Sequence, residues 1–177
     1  LASARPLSAA FLTPTLKGHV RRGLIGALGM FLGFTSLIYL PLPDATAFGY
    51  VAPLLNVVLA AILLKEVIRI YRWSAVIIGF VGVVIMLLPR LSFSGGYDEW
   101  KGVAFALAGA TCAAFAMIEV RRLTSSEHTG AIVVYFSLTT TVLSLFTFGL
   151  GFVYPEFAWV WPSARDFAVL ACIGVFG

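Results

Sequence analysis

In this chain of 177 residues, the side chains able to do chemistry are few and sit in apolar surroundings. Thr46, Gly49, Tyr50, Pro53, Asn56 and Ala60 recur at helical spacing, in a run from Ala45 to Leu64 that carries no charge. Proline has no N–H and its ring clashes with the preceding turn, so Pro53 should kink that helix and free a backbone carbonyl. Asn56, three residues on, adds an amide that is expensive in an apolar setting unless it has a partner or meets water. Glu119 is the second outlier, on one helical face with Cys112, Phe115 and Arg122. A carboxylate there can bind a cationic group or exchange a proton, or it can pair locally with Arg122 at i+3. Thr111, two turns before Glu119, adds a hydroxyl. Tyr39, Tyr50, Phe115 and Tyr135 offer ring faces that suit an apolar or cationic group, or ordinary packing.

The elements that must position these groups read as membrane helices. Residues 23–42, 45–64, 73–88, 102–120 and 131–154 are long and apolar enough to cross a bilayer, since the roughly 30 Å hydrocarbon layer takes about 20 helical residues. The composition agrees, with 60% hydrophobic residues, 11% charged residues and a mean hydropathy of +1.00. The fold class is therefore all-α, a polytopic transmembrane helix bundle. Gly26, Gly29 and Gly33 share a face of the first span, with Ser36 continuing it; Ala75, Gly79 and Gly82 do so in the third, and Gly102, Ala106, Ala110 and Ala113 in the fourth. Small residues at this spacing let helix backbones approach where lipid supplies no hydrophobic drive. The same glycine faces offer a route to a homo-oligomer.

The cations fix an orientation. If every span reverses direction, Arg5, Lys17, Arg21, Arg22, Lys65, Arg69, Arg72, Arg121 and Arg122 fall on one side, and only Arg90, Lys101 and Arg165 on the other. The positive-inside rule makes the first side cytoplasmic, with loops at 1–22, 65–72 and 121–130. Trp73 on that side and Trp100, Trp159 and Trp161 on the other sit where interfacial anchors belong.

Several function classes drop out. Basic residues dispersed between apolar spans, without one stripe interleaved with aromatics, do not make a nucleic-acid surface. Metalloprotease, nucleophile-elbow and phosphate-loop motifs are absent from the sequence, and His19 and His128 read as loop residues away from paired carboxylates, so no enzyme, cofactor or metal site is expected. Cys112 and Cys172 lie in apolar segments as small hydrophobes. The expected partners are membrane lipid and a small-molecule solute.

The stretch from Leu40 to Glu66, LPLPDATAFGYVAPLLNVVLAAILLKE, carries a short turn ending in Asp44, Ala45, Thr46 and Ala47, a proline soon after, and a closing Lys65–Glu66 pair. With the Gly-rich segment from Arg72 to Arg90 behind a basic turn, it resembles the second half of an EamA-type repeat of the drug/metabolite transporter superfamily. Residues 101–123 resemble the opening helix of a second repeat, and 165–177 are similar to 21–33, as a second copy of one helix would be. The resemblance implies a ten-helix permease of two inverted five-helix repeats, of which this chain covers about helices three to eight. Its parts would be a cytoplasmic linker (1–22), three helices of the first repeat (23–90), an outer loop (91–101), and two full helices and a cut third of the second repeat (102–177). It further implies alternating access at the inner membrane of a bacterium, gradient-driven or facilitated, with Tyr39, Thr46, Tyr50, Pro53, Asn56, Thr111, Phe115, Glu119 and Tyr135 as the solute pathway. A non-transporting scaffold subunit is the alternative. Glu119 departs from the apolar residue that similar sequences carry before the basic pair.

Overall fold

The computed structural model describes residues 15–91, 97–153 and 162–176. Among these, every regular element is a helix: α1 (Leu16–Tyr39), α2 (Leu42–Gly49), α3 (Val51–Leu63), α4 (Ile70–Leu91), α5 (Tyr97–Thr124), α6 (Thr129–Val153) and α7 (Ala164–Phe176). Five stretches are long and apolar enough to cross a membrane: Leu16–Tyr39, Leu42–Leu63, Ile70–Leu88, Glu99–Thr124 and Thr129–Thr147. They coincide with the five spans expected from the sequence, and the protein is a multi-pass helical bundle.

The helices start earlier than expected, α5 at Tyr97 within the expected outer loop, and two of the differences have a plain local reason. α1 begins at Leu16 instead of Gly23, so Lys17, His19, Arg21 and Arg22 are helical and His19 is not a loop residue. Nothing between Thr15 and Gly23 breaks a helix except Gly18, and that glycine meets the Leu123 side chain of α5. The second difference is that the span from Leu42 to Leu63 is two helices, α2 and α3, divided at Tyr50. Pro53 cannot donate to the Gly49 carbonyl one turn back, and the chain resets there with the Tyr50 N–H donating to the Ala47 carbonyl at 3.2 Å. The expected kink is thus a break at Tyr50, three residues before the proline.

The other ends follow from sequence as directly. Leu40 is extended because Pro41 follows it, which stops α1. Pro43 and Asp44 then occupy the first turn of α2, where a missing N–H and a negative charge both suit a helix start. α3 closes on Lys65, whose φ of 53° is left-handed. Residues 1–14, 92–96 and 154–161, with Arg5, Trp159 and Trp161, lie outside the described residues.

The chain divides into two compact units, residues 1–140 and 141–177. In the first, α5 is the hub, packed against α1, α2 and α3. α1 and α5 run antiparallel in a steady register: Gly18 faces Leu123, Arg21 faces Glu119, Gly29 faces Cys112, Gly109 faces Gly33, and Gly102 faces Tyr39 and Leu40. A Cβ on Gly29 would lie 3.1 Å from the Cys112 Cβ and 3.3 Å from the Gly109 oxygen, and one on Gly109 would lie 3.0 Å from the Gly33 nitrogen. Backbone meets backbone at this crossing, as the small-residue stripe predicted for α1. On α5 the buried stripe is Ala106, Ala110 and Ala114, with Ala113 exposed. Of the two α4 glycines expected to pack, a Cβ on Gly79 would meet Leu54 of α3 and one on Gly82 would meet nothing within 4 Å.

At the end of the unit that holds the proline turn, Leu40, Phe48, Val103 and Ala106 form a buried apolar cluster, with Met86 and Leu87 of α4 against it. Phe48 is fully buried, the anchor of α2. The second unit contains the last turns of α6 and the whole of α7. α7 starts on a reciprocal cap: the Ser163 hydroxyl donates to Asp166 Oδ2 at 2.7 Å, and the Asp166 N–H donates back to the hydroxyl at 3.3 Å.

Candidate functional site

The polar groups gather in two places, and α1 builds the first. Gly23 has no side chain, so Thr139 of α6 closes to where a Cβ would stand. One turn earlier this brings Tyr135 onto His19, ring centroids 4.7 Å apart and nearly parallel. Gly26 likewise admits Phe136, whose ring carries the Arg22 guanidinium 4.0 Å from its centroid. His19 is 1% exposed. Both its ring nitrogens, together with Nε and Nη1 of Arg22, are buried without a hydrogen-bond partner among the described residues.

Across from these, Glu119 of α5 is 7% exposed and doubly held. Arg21 donates to its Oε2 from Nε at 3.0 Å and also from Nη2, and Arg122 Nη1 donates to Oε1 at 3.4 Å. The expected local pair with Arg122 is present, but Arg21 on another helix is the closer partner. A carboxylate with both oxygens accepting from arginines ties the two helices together. Two further links close the same end of the unit: Thr15 Oγ1 donates to Glu127 Oε1 at 2.5 Å, and Arg121 reaches Glu66 at 3.4 Å.

The second place is the α2–α3 break. Tyr50 is 72% exposed, Pro53 and Thr46 are also exposed, and Asn56 is half-buried. The Asn56 Oδ1 is buried and unpaired among the described residues. A half-buried amide with an unsatisfied oxygen is a costly thing to keep in a membrane helix. Thr46 has already committed its hydroxyl to the Pro43 carbonyl at 2.9 Å.

The nine residues expected to share a pathway therefore do not form one cluster. Tyr50, Pro53 and Asn56 stay together at the break. Glu119 and Tyr135 both meet the first turns of α1, through Arg21 and His19. Tyr39 lies at the other end of α1, stacked on Phe105 at 5.9 Å. Thr111 donates to the Leu107 carbonyl of its own helix at 2.8 Å, and Phe115 is 40% exposed on α5. His19, Arg21 and Arg22 went unread as site residues because they precede the first strictly apolar run. The signal that would have found them is the helical spacing of Gly18, Gly23 and Gly26 around them. Among the described residues no three His, Cys, Asp or Glu side chains gather as a metal would require.

Residues 6–88, from ahead of α1 nearly to the end of α4, match the model of the EamA-like transporter family. That segment is similar to EamA-like transporters. Its relatives extend the likeness past residue 88. The S-adenosylmethionine uptake transporter of Rickettsia prowazekii (strain Madrid E) is 28% identical over 165 residues, covering 90% of this chain and 50% of that protein. The pseudopaline exporter CntI of Pseudomonas aeruginosa (strain UCBPP-PA14) is 29% identical over 155 residues, covering 87% and 51%. The probable transport protein YPL264C of Saccharomyces cerevisiae is 26% identical over 151 residues, covering 74% and 42%. The chain thus spans about half the length of the curated relatives it matches. No solved structure matches it. The matched segment takes in α1 to α3 whole, and with them Arg22, Pro53 and Asn56.

Proposed function

We propose that this chain is part of a multi-pass permease that moves a small metabolite or amphipathic solute across a bacterial inner membrane by alternating access, gradient-driven or facilitated. The observation that carries this reading is the likeness, over most of the chain, to relatives that are named as transporters. One of them is an uptake transporter and another an exporter, so the likeness supports transport without fixing a direction. Both are named for metabolites, which makes S-adenosylmethionine and pseudopaline the first solutes to try.

The site residues divide by role. Tyr50, Pro53 and Asn56 line the pathway: a helix broken inside the membrane supplies unbonded backbone and an unsatisfied amide, which is how carriers present polar groups to a solute. Glu119, held by Arg21 and Arg122, fastens α1 to α5 at the end taken as cytoplasmic from the cation count, with segments 1–22, 65–72 and 121–130. Tyr39, Thr46, Thr111, Phe115 and Tyr135 contribute surface to the pathway or its rim. The two EamA-type repeats of the resemblance supply the halves that rock against each other.

The test is flux. The longest reading frame that contains these residues is reconstituted into vesicles, and entry of labelled S-adenosylmethionine, then of a panel of amphipathic metabolites, is followed with and without an ion gradient. Saturable entry is expected for at least one solute. Correctly inserted protein that moves none of them, under any gradient, contradicts the reading.

A further inference from the structure

Arg22 is a part-buried cation with no oxygen partner for two of its nitrogens among the described residues. Glu119, the buried carboxylate beside α1 among the described residues, is already shared by Arg21 and Arg122. Arg22 instead lies flat on Phe136, with Nε and Nη1 shut off from solvent and without acceptors among the described residues. An arginine presents five N–H donors in a planar fork and stays charged, so buried donors without an oxygen are expensive to keep. Gly26 makes the arrangement feasible: its missing Cβ would stand 3.3 Å from Nη1 and 3.1 Å from the Phe136 ring.

Beside this guanidinium runs a cleft of about 300 Å³ between α1 and α5. Arg22 lines one part of it, and Gly26, Gly29, Met30, Ala113 and Met117 supply most of the rest. That volume is at the small end of sites for small molecules. Its walls are small or flexible apolar groups with one cation, and a fork of donors on a flat ring matches a carboxylate in particular.

We propose that Arg22, held over Phe136 in the space Gly26 leaves, is the anchor of a subsite in the α1–α5 cleft for the carboxylate of a small solute with an apolar body. This deepens the transport reading and rests on it, naming the solute class as monocarboxylates with an apolar portion. A lipid phosphate shares the charge but not the source, and the test separates the two.

Ala113→Cys is introduced in a background with Cys112→Ser and Cys172→Ser, in the same reconstituted protein, and its alkylation by N-ethylmaleimide is timed. Sodium hexanoate should slow the reaction in a saturable way, whereas hexanamide, equal in shape and lacking the charge, should not. Arg22→Gln should raise the half-protecting hexanoate concentration about 10- to 100-fold, the worth of a hydrogen bond to a charged group. Phe136→Leu, which keeps the charge and loses the ring, should raise it less and keep the preference for hexanoate over hexanamide. Equal protection by hexanoate and hexanamide, or none by either, overturns the proposal. So does protection by short-chain phosphatidylglycerol alone, which would give the anion to lipid. The readout needs no transport. Hexanoate protection without flux of any solute would sink the transport reading alone, and flux without hexanoate protection would sink only the subsite.

Discussion

The crossing of α1 with α5 and the junction of α2 with α3 spend their small and polar residues in opposite ways. Along the crossing most such groups are used: Gly29, Gly33 and Gly109 bring two backbones together, and Glu119 is bonded through both oxygens. At the junction they are left open, with Tyr50 and Pro53 exposed, space beside Gly49 for a Cβ and the Asn56 oxygen unpaired among the described residues. A membrane protein gains little from apolar contact between helices, so close packing and satisfied polar groups are what hold a given pair together. The difference marks the glycine-packed stretch of the first region as a fixed part of the molecule and the second region, like the Arg22 cleft, as a place with something still to bind.

Breaking the crossing should have the largest effect. Gly109→Leu drives a side chain into the Gly33 nitrogen and the Gly29 oxygen, and should lower stability in detergent by about 3 kcal/mol, the upper range for overpacking. Gly33→Ala should be nearly silent in the same thermal melt, because its Cβ would meet nothing within 4 Å. That pair sharpens the comparison, since both belong to one small-residue crossing and only one of them aims at its neighbour.

Glu119→Gln comes next. It leaves Arg21 and Arg122 facing each other across an uncharged amide and should cost about 1–3 kcal/mol, the loss expected when one member of a partly buried charged network is removed. A melt no lower than that of the parent would mean that the Arg21 link carries no weight. Asn56→Leu should act the other way on stability, holding it level or raising it by up to about 1 kcal/mol while lowering solute flux, because it removes an oxygen that has no partner among the described residues. The smallest effect belongs to Lys65→Gly, which relieves a left-handed residue at the end of α3 and should raise the melting free energy by a few tenths to about 1 kcal/mol.

The spans were legible because the requirement for about 20 apolar residues is strict, and the glycines of α1 were legible because small-residue spacing is a direct consequence of close approach. Pro53 announced a disturbance, but the position of the break at Tyr50 depends on which carbonyl loses its donor, one turn back from the proline. Which member of a stripe touches a neighbour was not legible: Gly79 and Gly82 look alike in sequence, and only the placement of Leu54 tells them apart. Glu119 was found as an outlier with Arg122 as its partner, yet Arg21, nearly a hundred residues away, cannot be read from local spacing. His19 and Arg22 were passed over for a related reason. Apolar runs define where a span is certain, and helices continue past them when charged residues find rings and carboxylates to lie against.

The measurement that bears most directly on this account is paired cysteine accessibility. Asn56→Cys at the junction and Ala110→Cys at the crossing are each made in a cysteine-free background, and each is exposed to a membrane-impermeant maleimide from either side, with and without transported solute. The account predicts that Cys at 56 reacts from at least one side and is protected by solute, while Cys at 110 stays unreactive throughout. An unreactive residue 56 under every condition, in correctly inserted protein, would place the α2–α3 junction in a dry helix interface and remove the pathway from it.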